Sequence, residues 1–153
     1  MNAMEYGVGK IGRVITARLF EGEDVYAELE GLAARENLRS GFVLLVGGLR
    51  AAKVVVGPKN PTGPLEPIWK EFSDARELAG VGTIFPDDKG PKMHLHGAIG
   101  RGDEAIAGCP RGGAKVFCVL EAILVEIEGI NARREMDPQL GIKLLRILHR
   151  PRS

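Results

Sequence analysis

The sequence has few cysteines, few aromatic residues and almost no net charge. Two cysteines and an aromatic content of 5% go together with a net charge of +1. Two cysteines cannot build a disulfide framework, so we expect a reducing compartment, the cytoplasm. The balanced charge excludes an overall basic field that would hold a nucleic acid by long-range attraction, so DNA binding would need a local patch.

Long hydrophobic runs are also absent. No uninterrupted apolar stretch approaches the roughly 18 to 20 residues that span a bilayer, and the N-terminus has no basic start followed by an apolar segment. We therefore expect neither a secreted protein nor a membrane protein. With 153 residues, 44% of them hydrophobic, the chain has the length and apolar content of one globular domain.

Most of the chain has the alternating or β-rich apolar pattern of strands, and one segment has the spacing of a helix. The helix is predicted over 23–37, with acidic residues in its first turn and Asn37 as its C-terminal cap. Strands are predicted over 11–20, 42–46, 53–56, 68–72, 77–84, 92–99, 115–127 and 142–148. Short connections between successive strands favour antiparallel pairing, so the fold class is α+β with a largely antiparallel sheet.

Three segments between or within these elements carry further expectations. The run 47–52 follows a β-rich segment and begins with two glycines, which indicates either adjacent strands or a strand entering a turn. The proline-rich stretch 58–67 is predicted to be a loop. Cys118 lies inside an apolar run and is expected in the core.

Two histidines, separated by one residue, lie in the strand predicted over 92–99. Side chains alternate along a strand, so His94 and His96 share one face while Met93 and Leu95 face the core. Cys109 follows thirteen residues later, far enough for a turn at 100–103 to bring its thiol back beside the imidazoles. Two nitrogens and one sulfur suit an open zinc site. The alternative is a pair of exposed imidazoles and a buried, inert cysteine.

Other charged residues are candidates for chemistry or for contacts. Lys92 shares the histidine face, and Glu121 interrupts an apolar strand face, so either could orient a substrate or move a proton. Glu121 could instead lie at a sheet edge or pair with an arginine across a subunit interface. A basic cluster near the C-terminus is either solvated surface or a nucleic-acid patch, and it contains Arg133, Arg134, Lys143, Arg146, Arg150 and Arg152.

The order of these motifs resembles the plants-and-prokaryotes conserved (PPC) domain family. The likeness rests on Phe20-Glu21-Gly22-Glu23-Asp24, Gly47-Gly48, Glu77 to Ile84, Met93-His94-Leu95-His96-Gly97 and Ala107-Gly108-Cys109. It implies a stand-alone α+β domain that assembles as a homotrimer, is described as DNA-binding, and in some prokaryotic members has a zinc-compatible histidine cluster. Cys109 stands where the family more commonly has a third histidine. The domain is expected over 11–149, with tails at 1–10 and 150–153.

Three functions compete at this point. The resemblance implies a DNA-associated or regulatory homotrimer that carries a zinc site at His94, His96 and Cys109. The same donor spacing also looks like the zinc arrangement of acetolactate decarboxylase, which implies a zinc-dependent enzyme acting on a small molecule at the metal, with Lys92 and Glu121 as candidate catalytic groups. The third is an assembly domain without metal, whose histidines line a polar pocket.

Overall fold

The structure, a computed structural model, describes residues 4–148. His149 and the predicted basic tail 150–153 lie outside the described residues. Within the described part of the chain, eight strands and one helix follow one another in the order β1 Lys10–Phe20, α1 Val25–Arg35, β2 Gly41–Pro58, β3 Pro67–Phe72, β4 Arg76–Asp87, β5 Gly90–Arg101, β6 Glu104–Glu128, β7 Ala132–Asp137 and β8 Ile142–Ile147. The predicted proline-rich loop lies between β2 and β3, as expected.

Six strands form one antiparallel sheet, and β7 and β8 form a separate hairpin. The order in the sheet is β1-β6-β5-β4-β2-β3, with an additional pairing of β6 with β2. Because β2 pairs with β4, β4 with β5, β5 with β6 and β6 with β2, these four strands close into a ring. The predicted α+β class with a largely antiparallel sheet is confirmed.

The helix closes the core on one side of the sheet. Asp24 is its N-cap, and the Asp24 carboxylate accepts hydrogen bonds from the backbone N–H groups of Tyr26 and Ala27, 3.1 Å each. The apolar stripe of Val25, Leu29 and Ala33 is completely buried or nearly so, in one cluster with apolar residues of β2, β4, β5 and β6. The helix is shorter than the predicted 23–37 because Asp24 caps it instead of belonging to it. No helix among residues 4–148 is long and apolar enough to cross a membrane.

Strand β2 is continuous through the glycine pair, where the sequence indicated either two adjacent strands or a strand entering a turn. Gly47 has φ +143°, and a Cβ at this position would collide with the carbonyl oxygen of Val119 on β6. The glycine therefore permits a close approach of two strand backbones where β2 bends, and it does not end the strand. Strand β6 begins at Glu104, well before the predicted start at 115. Its first half, 104–114, is rich in glycine and alanine, and the apolar pattern that predicts a strand is therefore missing there.

The expectation that Cys118 belongs to the core is wrong. The register between β2 and β6 shifts between the Gly47–Leu120 pair and the Gly48–Phe117 pair, which leaves two extra residues on β6. Cys118 lies in this bulge with φ +61°, is exposed, and donates its backbone N–H to the Glu21 carboxylate.

Strand β7 was not predicted from the sequence, because its charged residues obscure the alternating apolar pattern of a strand.

Three described members of the C-terminal basic cluster are paired with carboxylates: Arg133 with Glu135 at 3.5 Å, Lys143 with Asp87 at 2.7 Å and Arg146 with Glu5 at 3.0 Å. The Glu5 contact also joins the predicted N-terminal tail to β8. Arg150 and Arg152 lie outside the described residues.

One face of the sheet is apolar and uncovered. Leu44, Val46, Val81 and Ile123 point away from the core, with 47%, 56%, 55% and 42% of their surfaces exposed. We call these four residues the open face. Ile123 pairs with Leu44, Leu44 with Val81 and Val81 with His96, so this apolar row ends at a histidine.

Truncation of Leu29 tests the dependence of the fold on the helix. Leu29 is 1% exposed, whereas Leu32 on the same helix is only partly buried. We expect Leu29→Ala to lower the free energy of unfolding by about 2 to 5 kcal/mol, because it removes buried methyl groups and leaves a cavity. Denaturant unfolding of Leu29→Ala and Leu32→Ala measures this. An equal loss in the two variants would contradict the assignment of Leu29 to the centre of the core.

Candidate metal centre

Strand β5 presents its two histidines on the face opposite the core. Met93 and Leu95 are buried, at 7% and 0% exposure, and His94 and His96 alternate with them on the exposed side. On the neighbouring strand β4, the residue opposite His94 is Thr83 and the residue opposite His96 is Val81. The predicted division of this strand between core and exposed residues is confirmed.

The two imidazoles approach each other through their outer nitrogens. The Nε2 atoms of His94 and His96 are 3.1 Å apart, and the ring planes are inclined by 85° with centroids 4.8 Å apart. Two imidazole nitrogens at this distance either share one proton or direct their lone pairs at a common cation. The contact therefore suits a shared ligand.

Cys109 reaches the histidines through the β5–β6 hairpin. The last hydrogen-bonded pair of the hairpin is Gly97 with Gly108, so Cys109 follows one step beyond, opposite His96. A Cβ on Gly108 would collide with the carbonyl oxygen of Val55, which explains the glycine where β6 passes from β5 to β2. The donor atoms of His94, His96 and Cys109 lie within 4.8 Å of one another.

Tyr26, on the first turn of the helix, fixes the strand beside the cysteine. Its hydroxyl donates a hydrogen bond to the carbonyl oxygen of Pro110. Burial raises the pKa of Tyr26, and a negative charge on the nearby Cys109 would raise it further, so the phenol stays protonated and keeps this bond. The helix thereby positions the residue that follows Cys109.

The electrostatic environment keeps His94 neutral. Burial lowers the pKa of His94 to about 4, and the charges of His96, Arg134 and Arg111 act in the same direction. At neutral pH the imidazole has a free lone pair, which metal coordination requires.

The three donors fit a zinc ion in kind and in spacing. Zinc bonds of about 2.0 to 2.1 Å to nitrogen and about 2.3 Å to sulfur, in tetrahedral geometry, place nitrogens about 3.3 Å apart and nitrogen and sulfur about 3.6 Å apart. The histidine nitrogens, at 3.1 Å, have nearly this spacing, whereas the three donor atoms together extend to 4.8 Å, so the sulfur would have to approach the nitrogens to complete the set. A set of three leaves a fourth position for water or another ligand.

A cleft of about 730 Å³ opens beside the donors. His94 and Cys109 form part of its wall, and the β7–β8 hairpin forms the opposite wall. Arg134 of β7 donates from Nη2 to the Thr83 hydroxyl, 3.0 Å, next to His94. Lys143 of β8 bonds to the carboxylates of Asp87 and Asp88 on and after β4. The hairpin is therefore attached to the sheet by polar contacts and covers the metal candidates from one side.

The two candidate catalytic residues, Lys92 and Glu121, lie at different places relative to the cleft. Lys92 lines the cleft, and its ammonium lies 2.6 Å from the Glu30 carboxylate of the helix. Glu121 does not line the cleft; it lies on the exposed side of β6, opposite Arg18 of β1 and Val46 of β2. The strands between Glu121 and His96 are β2 and β4, which amounts to three strand spacings, about 14 Å.

Sequence reasoning missed three residues of this site. Tyr26 belongs to a helix whose exposed and buried positions looked ordinary, and Arg134 was counted with a basic surface cluster. Arg111 follows Cys109 by two residues, and this proximity to a candidate ligand, followed by Gly112-Gly113, was the only signal available.

Comparisons with known proteins give one family. The model of the Plants and Prokaryotes Conserved (PCC) domain matches residues 6–128. A bifunctional protein GlmU from Synechococcus sp. (strain JA-2-3B'a(2-13)) is 32% identical over 136 residues, which are 88% of this chain and 20% of that protein. The chain thus spans about a fifth of the length of the curated relatives it matches.

Solved structures share the fold at low sequence identity. The metal-containing protein AF0104 from Archaeoglobus fulgidus is 20% identical with a TM-score of 0.81, covering 92% of this chain and 98% of that one. A PPC protein from Pyrococcus horikoshii is 22% identical with a TM-score of 0.79, covering 95% and 99%. A candidate DNA-binding protein from Ralstonia eutropha JMP134 is 23% identical with a TM-score of 0.70, covering 85% and 88%.

The attachment of the hairpin depends on the ionisation of Asp87. Burial opposes ionisation, but hydrogen bonds from Lys143 and from the Lys89 N–H hold the pKa of Asp87 below its usual range. A lowered folded-state pKa stabilises the fold above the unfolded value of about 3.9, and this contribution is lost as the pH falls through the folded value. We expect the β7 and β8 amides to lose protection from hydrogen exchange only in that acidic range.

The variant Asp87→Asn separates this contact from general acid unfolding. It is expected to show faster exchange of the β7 and β8 amides already at neutral pH, after correction for intrinsic rates, with β4 and β5 unchanged. The control is Asp103→Asn in the exposed β5–β6 turn, which should leave the hairpin amides unchanged. Unchanged hairpin exchange in Asp87→Asn would show that other contacts hold the hairpin.

Proposed function

This chain belongs to the Plants and Prokaryotes Conserved (PCC) domain family, and we propose that it is a metal-binding member whose His94, His96 and Cys109 hold a zinc ion. The observation that carries the proposal is the approach of two Nε2 atoms to 3.1 Å beside a thiol, with His94 kept neutral. One protein of the same fold, from Archaeoglobus fulgidus, is described as metal-containing, which supports the proposal.

The residues around the donors define what such a centre can do. When bound, zinc supplies a Lewis acid with a position for one further ligand, and a thiolate in place of a third imidazole makes this acid weaker. Tyr26 holds the backbone at Pro110 and so limits the movement of Cys109. The β7–β8 hairpin lines the same cleft as His94, and its Arg134 bonds to Thr83 beside that histidine. These features suit the binding and orientation of a ligand.

The zinc content of the purified, untagged protein tests this proposal. We expect close to stoichiometric zinc in the native chain and its loss in His94→Ala and in Cys109→Ala, because either change removes one of only three protein ligands. Cys118→Ala is the matched control, since it removes the other thiol at an exposed bulge and should retain the metal. Zinc absent from the native protein after growth with zinc would refute the proposal and leave the assembly domain without metal.

We also propose that the protein assembles as a homotrimer through the open face. Contiguous exposed apolar side chains on one sheet face mark interaction surfaces in soluble proteins, and closed symmetric assemblies cover such faces. Leu44, Val46, Val81 and Ile123 form this face, and Glu121 and Arg18 lie beside it. This position supports the interface alternative for Glu121 over a role in proton transfer.

A charge placed in the open face tests the assembly. We expect the native protein to sediment as a trimer and Val46→Asp to sediment as a monomer, because an unpaired carboxylate would lose its water in the interface. The control is Leu65→Asp, since Leu65 is an exposed apolar residue of the proline-rich loop. A native monomer, or a Val46→Asp variant that remains a trimer, would contradict this interface.

A DNA-associated or regulatory role is the function that the resemblance to structural neighbours supports. The protein from Ralstonia eutropha is described as a candidate DNA-binding protein, and so is one from Bacteroides thetaiotaomicron. In this chain, Arg133, Lys143 and Arg146 are neutralised by carboxylates, so these members of the basic cluster add no support for DNA contact. We therefore rank DNA association after metal binding.

The cleft favours a second candidate, a zinc-dependent enzyme acting on a small molecule. A volume of about 730 Å³ beside the three donors is large enough for such a substrate. Lys92 lines this cleft beside His94 and could orient a substrate, although the ion pair with Glu30 neutralises part of its charge. Glu121 lies too far away to take part.

A further inference from the structure

Arg134 is held in the cleft with part of its hydrogen-bonding capacity unused. The guanidinium is about half-buried, and its Nη2 atom donates to the Thr83 hydroxyl at 3.0 Å. Its Nε atom is buried and has no hydrogen-bond partner among the described residues. A buried donor of a charged group without a partner is costly, so a ligand that accepts from Nε would remove this cost.

A second guanidinium faces the same space. Arg111 lines the cleft two residues after Cys109, and within residues 4–148 it makes no hydrogen bond or ion pair to a carboxylate. Burial and the charge of Arg111 lower the pKa of Arg134, which indicates that the two cations lie close together. No carboxylate of residues 4–148 forms an ion pair with either arginine, and only the more distant charges of Asp87 and Glu30 act on Arg134.

The remaining charges of the cleft cancel. Lys92 is paired with Glu30 at 2.6 Å, and Lys143 is paired with Asp87 at 2.7 Å. Asp24 caps the helix and lies 3.6 Å from the ammonium of Lys115. The two arginines therefore carry the uncompensated positive charge of the cleft wall.

We propose that Arg134 and Arg111 bind the oxyanion group, a carboxylate or a phosphate, of a small molecule that occupies the cleft between the β7–β8 hairpin and the face of His94. A guanidinium presents a planar set of donors that matches two oxygens of such a group, and the partly buried position of Arg134 strengthens the bond, whereas Arg111 is exposed. The proposal extends the proposed metal centre by naming the class of its ligand, an anion whose other end lies near His94 and Cys109.

The two arginines of this site lie on different elements. Arg134 lies on β7, beyond the residues 6–128 that the family model matches, whereas Arg111 and the three metal candidates lie within them. The anion site is therefore built from the sheet on one side and from the hairpin on the other, and the two sides can be altered separately.

Calorimetric titration with sodium phosphate and with sodium succinate tests the proposal. We expect saturable binding of at least one of the two anions, tighter than about 10 mM, and a loss of roughly tenfold or more in affinity for Arg134→Gln and for Arg111→Gln, as for other charge-assisted hydrogen bonds. The matched control is Arg133→Gln on the same strand, which should bind like the native protein because Arg133 is exposed and paired with Glu135. The Nε–Hε NMR signal of Arg134, assigned by its disappearance in Arg134→Gln, should shift on addition of the anion.

The outcomes separate this proposal from the metal proposal. Each titration is made on zinc-loaded and on chelator-treated protein, with zinc content measured alongside. Anion binding that is lost in Arg134→Gln but persists in the chelator-treated protein supports an arginine site that does not depend on the metal, whereas the metal proposal is decided by the zinc content of the native protein. Preference for succinate or for phosphate identifies the group. Absence of saturable binding of both anions, or equal binding by native protein and Arg134→Gln, overturns the proposal; if Arg134→Gln fails to fold, Arg111→Gln decides.

Discussion

Strand β6 shares its backbone hydrogen bonds with three other strands, and the rest of the structure depends on this sharing. Its first residues pair with β5, its middle with the second half of β2, and its last part with β1 on one edge and the first half of β2 on the other. To pass between these partners without a break, the strand backbones approach more closely than side chains allow, which requires glycine at Gly47 and Gly108. The closed ring of β2, β4, β5 and β6 follows from these contacts.

The same path of β6 determines where the reactive side chains meet. Beyond Gly108 the strand leaves β5, so Cys109 lies at the point where both neighbours are in contact with β6, beside His96 and opposite Val55. Burial in this position keeps His94 neutral and leaves the cysteine only 5% exposed. The helix contributes from the other side through Tyr26, whose phenol bonds to Pro110. The candidate metal donors thus converge from two strands, the helix supports them through a hydrogen bond, and no loop is required to hold them.

Local sequence signals were sufficient where side-chain periodicity alone decides the outcome. The alternation of Met93, His94, Leu95 and His96 fixed the two faces of β5, and the spacing of Val25 and Leu29 fixed the buried stripe of the helix. Local signals were insufficient where pairing with another strand determines whether a side chain is buried or exposed. Cys118 has apolar neighbours on both sides, but a bulge imposed by pairing with β2 turns it outwards. Arg134 has the sequence context of a surface residue, and only the folding of β7 over Thr83 gives it a buried donor.

The division of the cleft between sheet and hairpin affects how the family can diverge. The donors of the proposed metal centre lie on strands whose glycines and core residues tolerate few replacements, since a change there disturbs the closed ring. The β7–β8 hairpin is joined to the sheet by polar contacts such as Lys143 with Asp87 and Arg134 with Thr83, and Arg146 joins it to Glu5 near the N-terminus. Loss of such surface contacts leaves the core intact. Residues of the hairpin can therefore be replaced at little cost to the sheet, so the chemistry of the cleft wall can change while the strands that present His94, His96 and Cys109 keep their fold.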